Sequence, residues 1–365
     1  MLQKLPWLAL RAVNGVGLVL FQRLVSCFGS PGAVFEASRE DLLGVRGVSP
    51  AAAQAILDFR DWDRMEAQLQ RVKGAGAEVL TWDDPDFPSG LRQIPYPPPV
   101  LFVQGGIIEE DRVAVALVGT RKPSCYGVKT CRRLAGGLAA RGVTVVSGLA
   151  RGIDTAAHQG ALEEGGRTLA VLGCGLDVVY PPENRELYRK IPEAGALITE
   201  FDLGARPEAA NFPRRNRLIS GLSLGVVVVE AGVKSGTNIT VRFALDQGRE
   251  VFAVPGPVDA PGSVGPHSLI QQGAKLVREV KDILEELPGV TFRPPGTGVK
   301  EPGAIRSAPL PDDPVLAFLG AAPIQLEELV AATHLAPAEV LSRLTMLEIQ
   351  GLVRELPGKC YVLEN

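Results

Sequence analysis

The sequence predicts an α/β protein: a doubly wound parallel sheet, with a small helical unit before it and a helix-turn-helix-like unit after it. Three observations carry this reading. Between Val113 and Val254, six apolar runs alternate with helical patterns. The runs are apolar on both faces, as parallel strands covered by crossover helices are. Glycine stands just past most of their carboxyl ends, where the backbone of a doubly wound sheet comes close to a ligand or turns sharply. With 365 residues the chain has room for two or three domains.

Residues 1–75 read as short helices broken by glycine. Asn14-Gly15-Val16-Gly17 and Val45-Arg46-Gly47-Val48 are similar turns, and Ser49-Pro50 opens an alanine-rich helix. The pattern is that of paired helix-hairpin-helix units in a sterile-alpha-motif-like bundle. The glycines either close tight helix junctions or offer backbone N–H groups to a DNA phosphate. Residues 76–288 hold the main domain. It opens with a proline-dense lead-in, Thr81 to Pro99, which forbids long helices and leaves one or two added edge strands. The six strands follow at Val113–Val118, Thr144–Ser147, Thr168–Leu172, Ala196–Thr199, Gly225–Glu230 and Glu250–Val254. Residues 289–312 are a Pro/Gly-rich linker. Residues 313–365 read as three short helices and a hairpin. Ile324–Ala332 and Pro337–Gln350 form a helix-turn-helix pair, and a Pro357-Gly358-Lys359 turn makes a wing. The second helix carries only Arg343 against Glu339 and Glu348, too little positive charge for a groove reader, so a protein-contact role is expected there.

Net charge is −3, so any anion site must come from local clustering. Such clustering exists: Arg112 to Arg151 holds eight Lys/Arg and no Asp or Glu. A second cluster, Phe212-Pro213-Arg214-Arg215-Asn216-Arg217, packs three guanidiniums into four positions. They repel one another unless anions lie between them, and guanidinium forks suit phosphate. At least one of the three is expected to pair with Glu230 or Asp154 as structure. The strand-end rule adds three turns. Gly119-Thr120-Arg121-Lys122 leads into a helix near Tyr126-Gly127, a phosphate cradle in outline. Ser147-Gly148-Leu149-Ala150-Arg151 ends the second strand, and Ser235-Gly236-Thr237 opens a helix after Glu230. Asp154 and His158 lie one helical turn apart and read as a capping and orienting pair, with an acid–base pair the other possibility. There is no GxxxxGK[ST] loop, GxGxxG fingerprint or CxxC pair. No catalysis, metal or other cofactor is expected. The five scattered cysteines and the lack of a long apolar stretch suit a cytoplasmic protein without membrane insertion.

Taken in order, Gly119-Thr120-Arg121, Ser147–Asp154, Gly173-Cys174-Gly175-Leu176-Asp177, Phe212–Ser220, Val228–Ala231, Ser235-Gly236-Thr237 and Val251–Gly256 resemble the DprA/Smf DNA-processing family of bacteria. The resemblance spans about residues 80–285. It implies an extended Rossmann-like domain that binds single-stranded DNA without sequence preference. It also implies a homodimer that loads the RecA recombinase on incoming strands in natural transformation. Carried over by motif, the basic pocket comprises Arg121, Arg151 and the Arg214/Arg215/Arg217 cluster. Three positions depart from the usual pattern: Thr199-Glu200 for Ser-Glu, Asn238-Ile239-Thr240 for Leu-Ile-Thr, and His267 for Asn. None removes a basic residue. Leu218–Leu222 and Phe243–Leu245 are candidates for the dimer surface.

The Glu230…Ser235-Gly236-Thr237 arrangement also resembles lysine-decarboxylase-like nucleoside-monophosphate phosphoribohydrolases. Their PGGxGTxxE pattern places a catalytic glutamate where this chain has Asn238-Ile239-Thr240.

Overall fold

The computed structural model describes residues 2–233, 235–287, 313–319, 324–333, 335–349, 352–356 and 360–363. They fall into two compact units, Met1–Thr297 and Gly298–Asn365.

The first unit begins with six helices: α1 (Leu5–Ala12), α2 (Leu18–Phe28), α3 (Pro31–Glu36), α4 (Arg39–Gly44), α5 (Pro50–Leu57) and α6 (Trp62–Gly74). Serine side chains start three of them. Ser30, Ser38 and Ser49 accept from the backbone N–H of Ala33, Asp41 and Ala52 at 3.1–3.2 Å, satisfying donors that a helix start leaves free. The two predicted turns form, with Gly15 and Gly47 at φ +85° and +96°, a conformation that an L side chain resists. These helices share one apolar core with the sheet: Trp7, Leu8, Phe21 and Leu24 cluster with Val79, Phe102 and Leu197. Trp7, Phe21 and Trp82 meet pairwise at 5.4–5.7 Å.

The sheet has nine strands: β1 (Ala77–Thr81), β2 (Val100–Gly105), β3 (Ala114–Val118), β4 (Thr144–Ser147), β5 (Thr168–Val171), β6 (Gly195–Thr199), β7 (Gly225–Val228), β8 (Glu250–Ala253) and β9 (Lys275–Leu276). They lie in the order β1-β2-β6-β5-β4-β3-β7-β8-β9. The six expected strands are β3 to β8. The lead-in supplies β1 and β2, which pair antiparallel with each other, and β2 is antiparallel to β6. The two-residue β9 is an addition to the expected set, too short to show a period in the sequence. The remaining pairs are parallel.

The connecting helices are α7 (Ser89–Arg92), α8 (Cys125–Ala139), α9 (Ile153–Glu163), α10 (Arg185–Ala194), α11 (Asn211–Gly221), α12 (Thr237–Asp246), α13 (Val264–Gln271) and α14 (Val280–Leu284). Strand side chains alternate between the two faces. Val115, Leu117 and Val227 pack with α8 and α9, while Ala116, Val118, Val226 and Val228 pack with α11 and α12. The chain leaves β3 for β4, β5 and β6 on one side, then returns to β7 on the other. That reversal opens a crevice at the carboxyl ends of β3 and β7.

The second unit is a winged-helix fold. It contains β10 (Ile324–Gln325), α15 (Leu326–Thr333), α16 (Pro337–Ile349), β11 (Val353–Leu356) and β12 (Cys360–Leu363), with sheet order β10-β12-β11. Leu326, Leu329, Val340, Leu344, Leu347, Val353 and Tyr361 form its core. One expectation needs correction: Ile324 and Gln325 pair with β12 instead of starting a helix. The wing turn at residues 357–359 lies outside the described residues. Arg343 is held by Asp313 at 3.1 Å and Glu339 at 3.0 Å.

Candidate nucleic-acid interface

A cleft of about 640 Å³ occupies the crevice. Gly119, Thr120 and Arg121 form one wall; Phe212, Arg215 and Asn216 form a second; Ser235, Gly236, Thr237 and Thr240 form a third. The Gly119–Arg121 turn is pinned by backbone bonds. Thr120 N donates to Glu230 O at 2.7 Å, and Ile153 N donates to Thr120 O at 3.2 Å. A Cβ on Gly119 would sit 2.8 Å from Glu230 O, so the close approach requires glycine.

The three arginines of α11 have different fates. Arg215 is 3% exposed. Its Nη1 donates to Gly148 O at 2.7 Å and to Val171 O, joining the ends of β4 and β5. Burial pulls its pKa down to about 10, against the opposing pull of the Asp154 carboxylate. Gly148 has its place because of this guanidinium: a Cβ there would lie 2.7 Å from Arg215 Cζ. Arg217 is 6% exposed and turned away from the cleft. Its Nη2 pairs with Glu200 Oε2, and its Nη1 donates to Tyr96 O at 2.9 Å. Burial lowers its pKa too, with Glu200 opposing. Arg214 is exposed, stacks 5.6 Å over Phe201, and has no ion pair among the described residues. The structural partner expected to be Glu230 or Asp154 is therefore Glu200 for Arg217, while Asp154 faces Arg215.

Phe212 is the hub of the cleft. Arg121 lies 5.3 Å from its ring centroid, Arg215 6.0 Å, and the Tyr180 ring 5.7 Å. Gly173 packs flat beneath it; a Cβ there would reach within 2.9 Å of the ring. Arg121 is exposed, as is Lys122, and neither has an ion pair among the described residues.

Four expected features need correction. Ser147 is fully buried and donates to Leu117 O at 2.7 Å, so it faces no ligand. Arg151 stands outside the cleft walls, exposed and paired with Glu183 at 2.7 Å. The start of α8 is not an open phosphate cradle. Glu230 Oε2 accepts from Ser124 N at 2.9 Å, Ser124 Oγ donates to Glu230 Oε1, and Ser124 Oγ accepts from Gly127 N at 3.1 Å. The protein's own carboxylate holds the positive end of that helix. Finally, Leu218 and Leu222 are buried and form no surface, while Leu245 is 63% exposed.

Asp154 and His158 do not pair. Asp154 accepts from Ala150 N at 3.3 Å, and burial raises its pKa. His158 Nδ1 lies 2.7 Å from Thr168 Oγ1, whose single proton goes to Val145 O at 2.8 Å. Nδ1 therefore carries the proton. Burial lowers the His158 pKa to about 3 and keeps the ring neutral. At the third wall, Ser235 Oγ donates to Thr237 Oγ1 at 2.9 Å and accepts from Thr237 N at 3.2 Å. Gly236 caps α12 without a side-chain acceptor. Among the described residues no group of His, Cys, Asp and Glu could hold a metal ion, and no helix is long and apolar enough to cross a membrane.

Support for the cleft also comes from pairings between residues far apart in the chain. Arg11 Nη1 donates to Glu200 O at 2.6 Å and Arg11 pairs with Asp202, tying α1 to the loop after β6. Asn184 Nδ2 donates to Leu149 O at 2.9 Å. Such pairs bridge more than thirty positions, as Asn184 to Leu149 does, or nearly two hundred, as Arg11 to Glu200 does, and no local pattern announces them.

Fold and cleft define a class: a Rossmann-like α/β protein with a cationic, aromatic-centred crevice at its strand ends, a helix-hairpin-helix bundle before the sheet and a winged-helix fold after it. The chain belongs to the DNA recombination-mediator protein A family, DprA/Smf, whose model matches residues 78–288. Residues 8–60 match the SAM-like helix-hairpin-helix tandem, and 299–359 match the DprA winged helix domain. The chain is 36% identical to protein Smf of Synechocystis sp., over 97% of each chain. It is 44% identical to DNA processing protein DprA of Streptococcus pneumoniae, over 68% of this chain and 88% of that one. The X-ray structure of DNA processing protein A from S. pneumoniae superposes with a TM-score of 0.66 at 33% identity, covering 78% of this chain and 98% of that one. DNA processing protein A from Helicobacter pylori, whose structure describes a single-stranded DNA binding mode, gives a TM-score of 0.52 at 28% identity, over 57% and 95%.

Proposed function

We propose that the crevice holds the backbone of single-stranded DNA without regard to sequence, and that the protein is a non-enzymatic recombination mediator. The carrying observation is Arg121: exposed, without an ion pair among the described residues, and stacked on Phe212 at the strand ends. An unneutralised guanidinium beside an aromatic ring offers a phosphate contact and a base contact together. Arg214 adds a second free cation on the same helix as Phe212. The H. pylori relative, described as binding single strands, supports the choice of ligand. Family membership favours this reading over the phosphoribohydrolase alternative.

In this reading the protein acts in the cytoplasm as a homodimer, protects incoming strands and passes them to RecA in natural transformation. Leu245, Val264 and Leu276 are exposed apolar side chains of α12, α13 and β9, and they supply the dimer surface. Size-exclusion chromatography with light scattering checks this: Leu245→Glu should elute as a monomer. Strand binding is tested by fluorescence anisotropy with single- and double-stranded oligonucleotides. The wild type should favour the single strand, and Arg121→Ala should lose about tenfold on it, a loss of roughly 1.4 kcal/mol. Equal affinity of wild type and variant would remove Arg121 from the site.

A further inference from the structure

The strand-binding reading gives no role to Tyr126, an exposed aromatic side chain on the sheet's carboxyl edge. Tyr126 stands in the first turn of α8, just past Arg121 and Lys122, and is 47% exposed. It lines no wall of the cleft. Its hydroxyl donates to Pro255 O, at the end of β8, at 2.7 Å. Its ring edge passes Gly256, where a Cβ would lie 3.9 Å from Tyr126 Cε1. The ring is thus fixed at both ends, by the α8 backbone and by the loop after β8, while much of its surface faces solvent.

That loop is itself ordered. Ala260 N donates to Pro257 O at 3.1 Å, Ser263 N to Ala260 O at 2.9 Å, and Ala231 N to Gly262 O at 2.8 Å. At its tip Val258 is 83% exposed. The loop that holds the ring at Pro255 thus also carries an apolar side chain into water. Arg121, on the cleft wall, and Lys122 belong to the turn that leads along the chain to Tyr126, and both are exposed and without ion pairs among the described residues.

We infer that Tyr126 is a second nucleobase platform: a strand leaving the cleft past Arg121 and Lys122 crosses the sheet edge to the α8 side and stacks a base on Tyr126. The inference rests on the strand-binding reading and extends it beyond the cleft. The chemistry fits three ways. Every base has a π-face, so a tyrosine platform adds affinity without sequence preference. A ring already immobilised loses little further entropy on binding. The two cations at the crossing neutralise phosphates that the turn would bring close together.

The experiment measures affinity of the full chain for oligothymidylates of about 6 and about 20 nucleotides, spanning the usual range of single-strand site sizes. Wild type, Tyr126→Ala, Tyr126→Phe and Arg121→Ala are compared at several salt concentrations. Tyr126→Ala should lose roughly five- to a hundredfold on the long strand, the range for one stacked base, and much less on the short one. Its salt dependence should stay that of the wild type, because every phosphate keeps its cation. Tyr126→Phe keeps the ring but drops the bond to Pro255, and should recover most of the loss. If Tyr126→Phe loses as much as Tyr126→Ala, the tyrosine only anchors the loop and the platform is overturned. If Tyr126→Ala binds the long strand like wild type while Arg121→Ala is weakened, the platform is overturned and the strand-binding reading stands. If Arg121→Ala is also unaffected, both are overturned.

Discussion

Arg215 shows how one side chain serves both structure and site. It ties two strand ends together by their carbonyls, faces the buried Asp154 carboxylate, and still lines the cleft. Removing it strands Asp154 and leaves two carbonyls without their donor. Arg215→Ala should therefore unfold more easily by about 2 kcal/mol, the scale for taking a charged donor from buried acceptors. Urea denaturation measures this, and a loss under about 1 kcal/mol would mean the guanidinium is not structural. His158 gives a pH prediction. Its folded pKa, about 3, lies below the unfolded value of about 6.5. Above pH 6.5 or so both states are neutral and the group contributes no slope. As pH falls below that, the unfolded chain takes the proton first, and stability drops by about 1.4 kcal/mol per pH unit. Asp154, whose pKa is raised, works in the opposite sense. The difference between wild type and His158→Gln isolates the histidine: between pH 7 and 5 it should change by about 2 kcal/mol. A constant difference would show that the ring is not buried neutral.

At the scale of elements, α11 decides the site. Its sequence carries three arginines, but helix geometry sends them to three places: the surface, the strand ends, and the end of β6. The Arg217–Glu200 pair clamps the helix to β6, so Glu200→Gln should cost stability, about 3 kcal/mol, the usual scale for breaking a buried ion pair from one side. Arg214→Ala should leave the melting temperature unchanged and weaken strand binding. Calorimetry and anisotropy on the two variants check the division; a destabilised Arg214→Ala would contradict it. This is also where the legibility of the sequence ends. The strands β3 to β8 were readable because they are apolar on both faces, and Gly119, Gly148 and Gly173 announced close approaches. The arginine cluster announced charge. Nothing local said that Arg217 would find Glu200 and Tyr96, that Glu230 would occupy the start of α8, or that Ser147 would turn inward to Leu117 O. Those outcomes depend on which strand ends become neighbours, and sheet order is set by packing across the whole chain.

The first unit works as one body. The helices of residues 5–74 and the sheet bury Trp7, Phe21, Phe102 and Leu197 in one cluster, and Arg11 reaches the loop that precedes α11. Deleting residues 1–75 should therefore expose that cluster and give an aggregating, dye-binding protein; a soluble, cooperatively folding remainder would contradict the shared core. Deleting residues 298–365, a separate compact unit, should leave strand affinity intact, and weakened binding would place part of the site there. The central claim is that two free cations, Arg121 over Phe212 and Arg214 over Phe201, hold a single strand by its phosphates. The most direct measurement is the salt dependence of oligothymidylate affinity for wild type and an Arg121→Ala/Arg214→Ala double variant. Removing the cation from one phosphate should flatten the slope of log K against log salt by about 0.7, so the double variant should fall by about 1.4. An unchanged slope would mean that the phosphates are held elsewhere on the molecule.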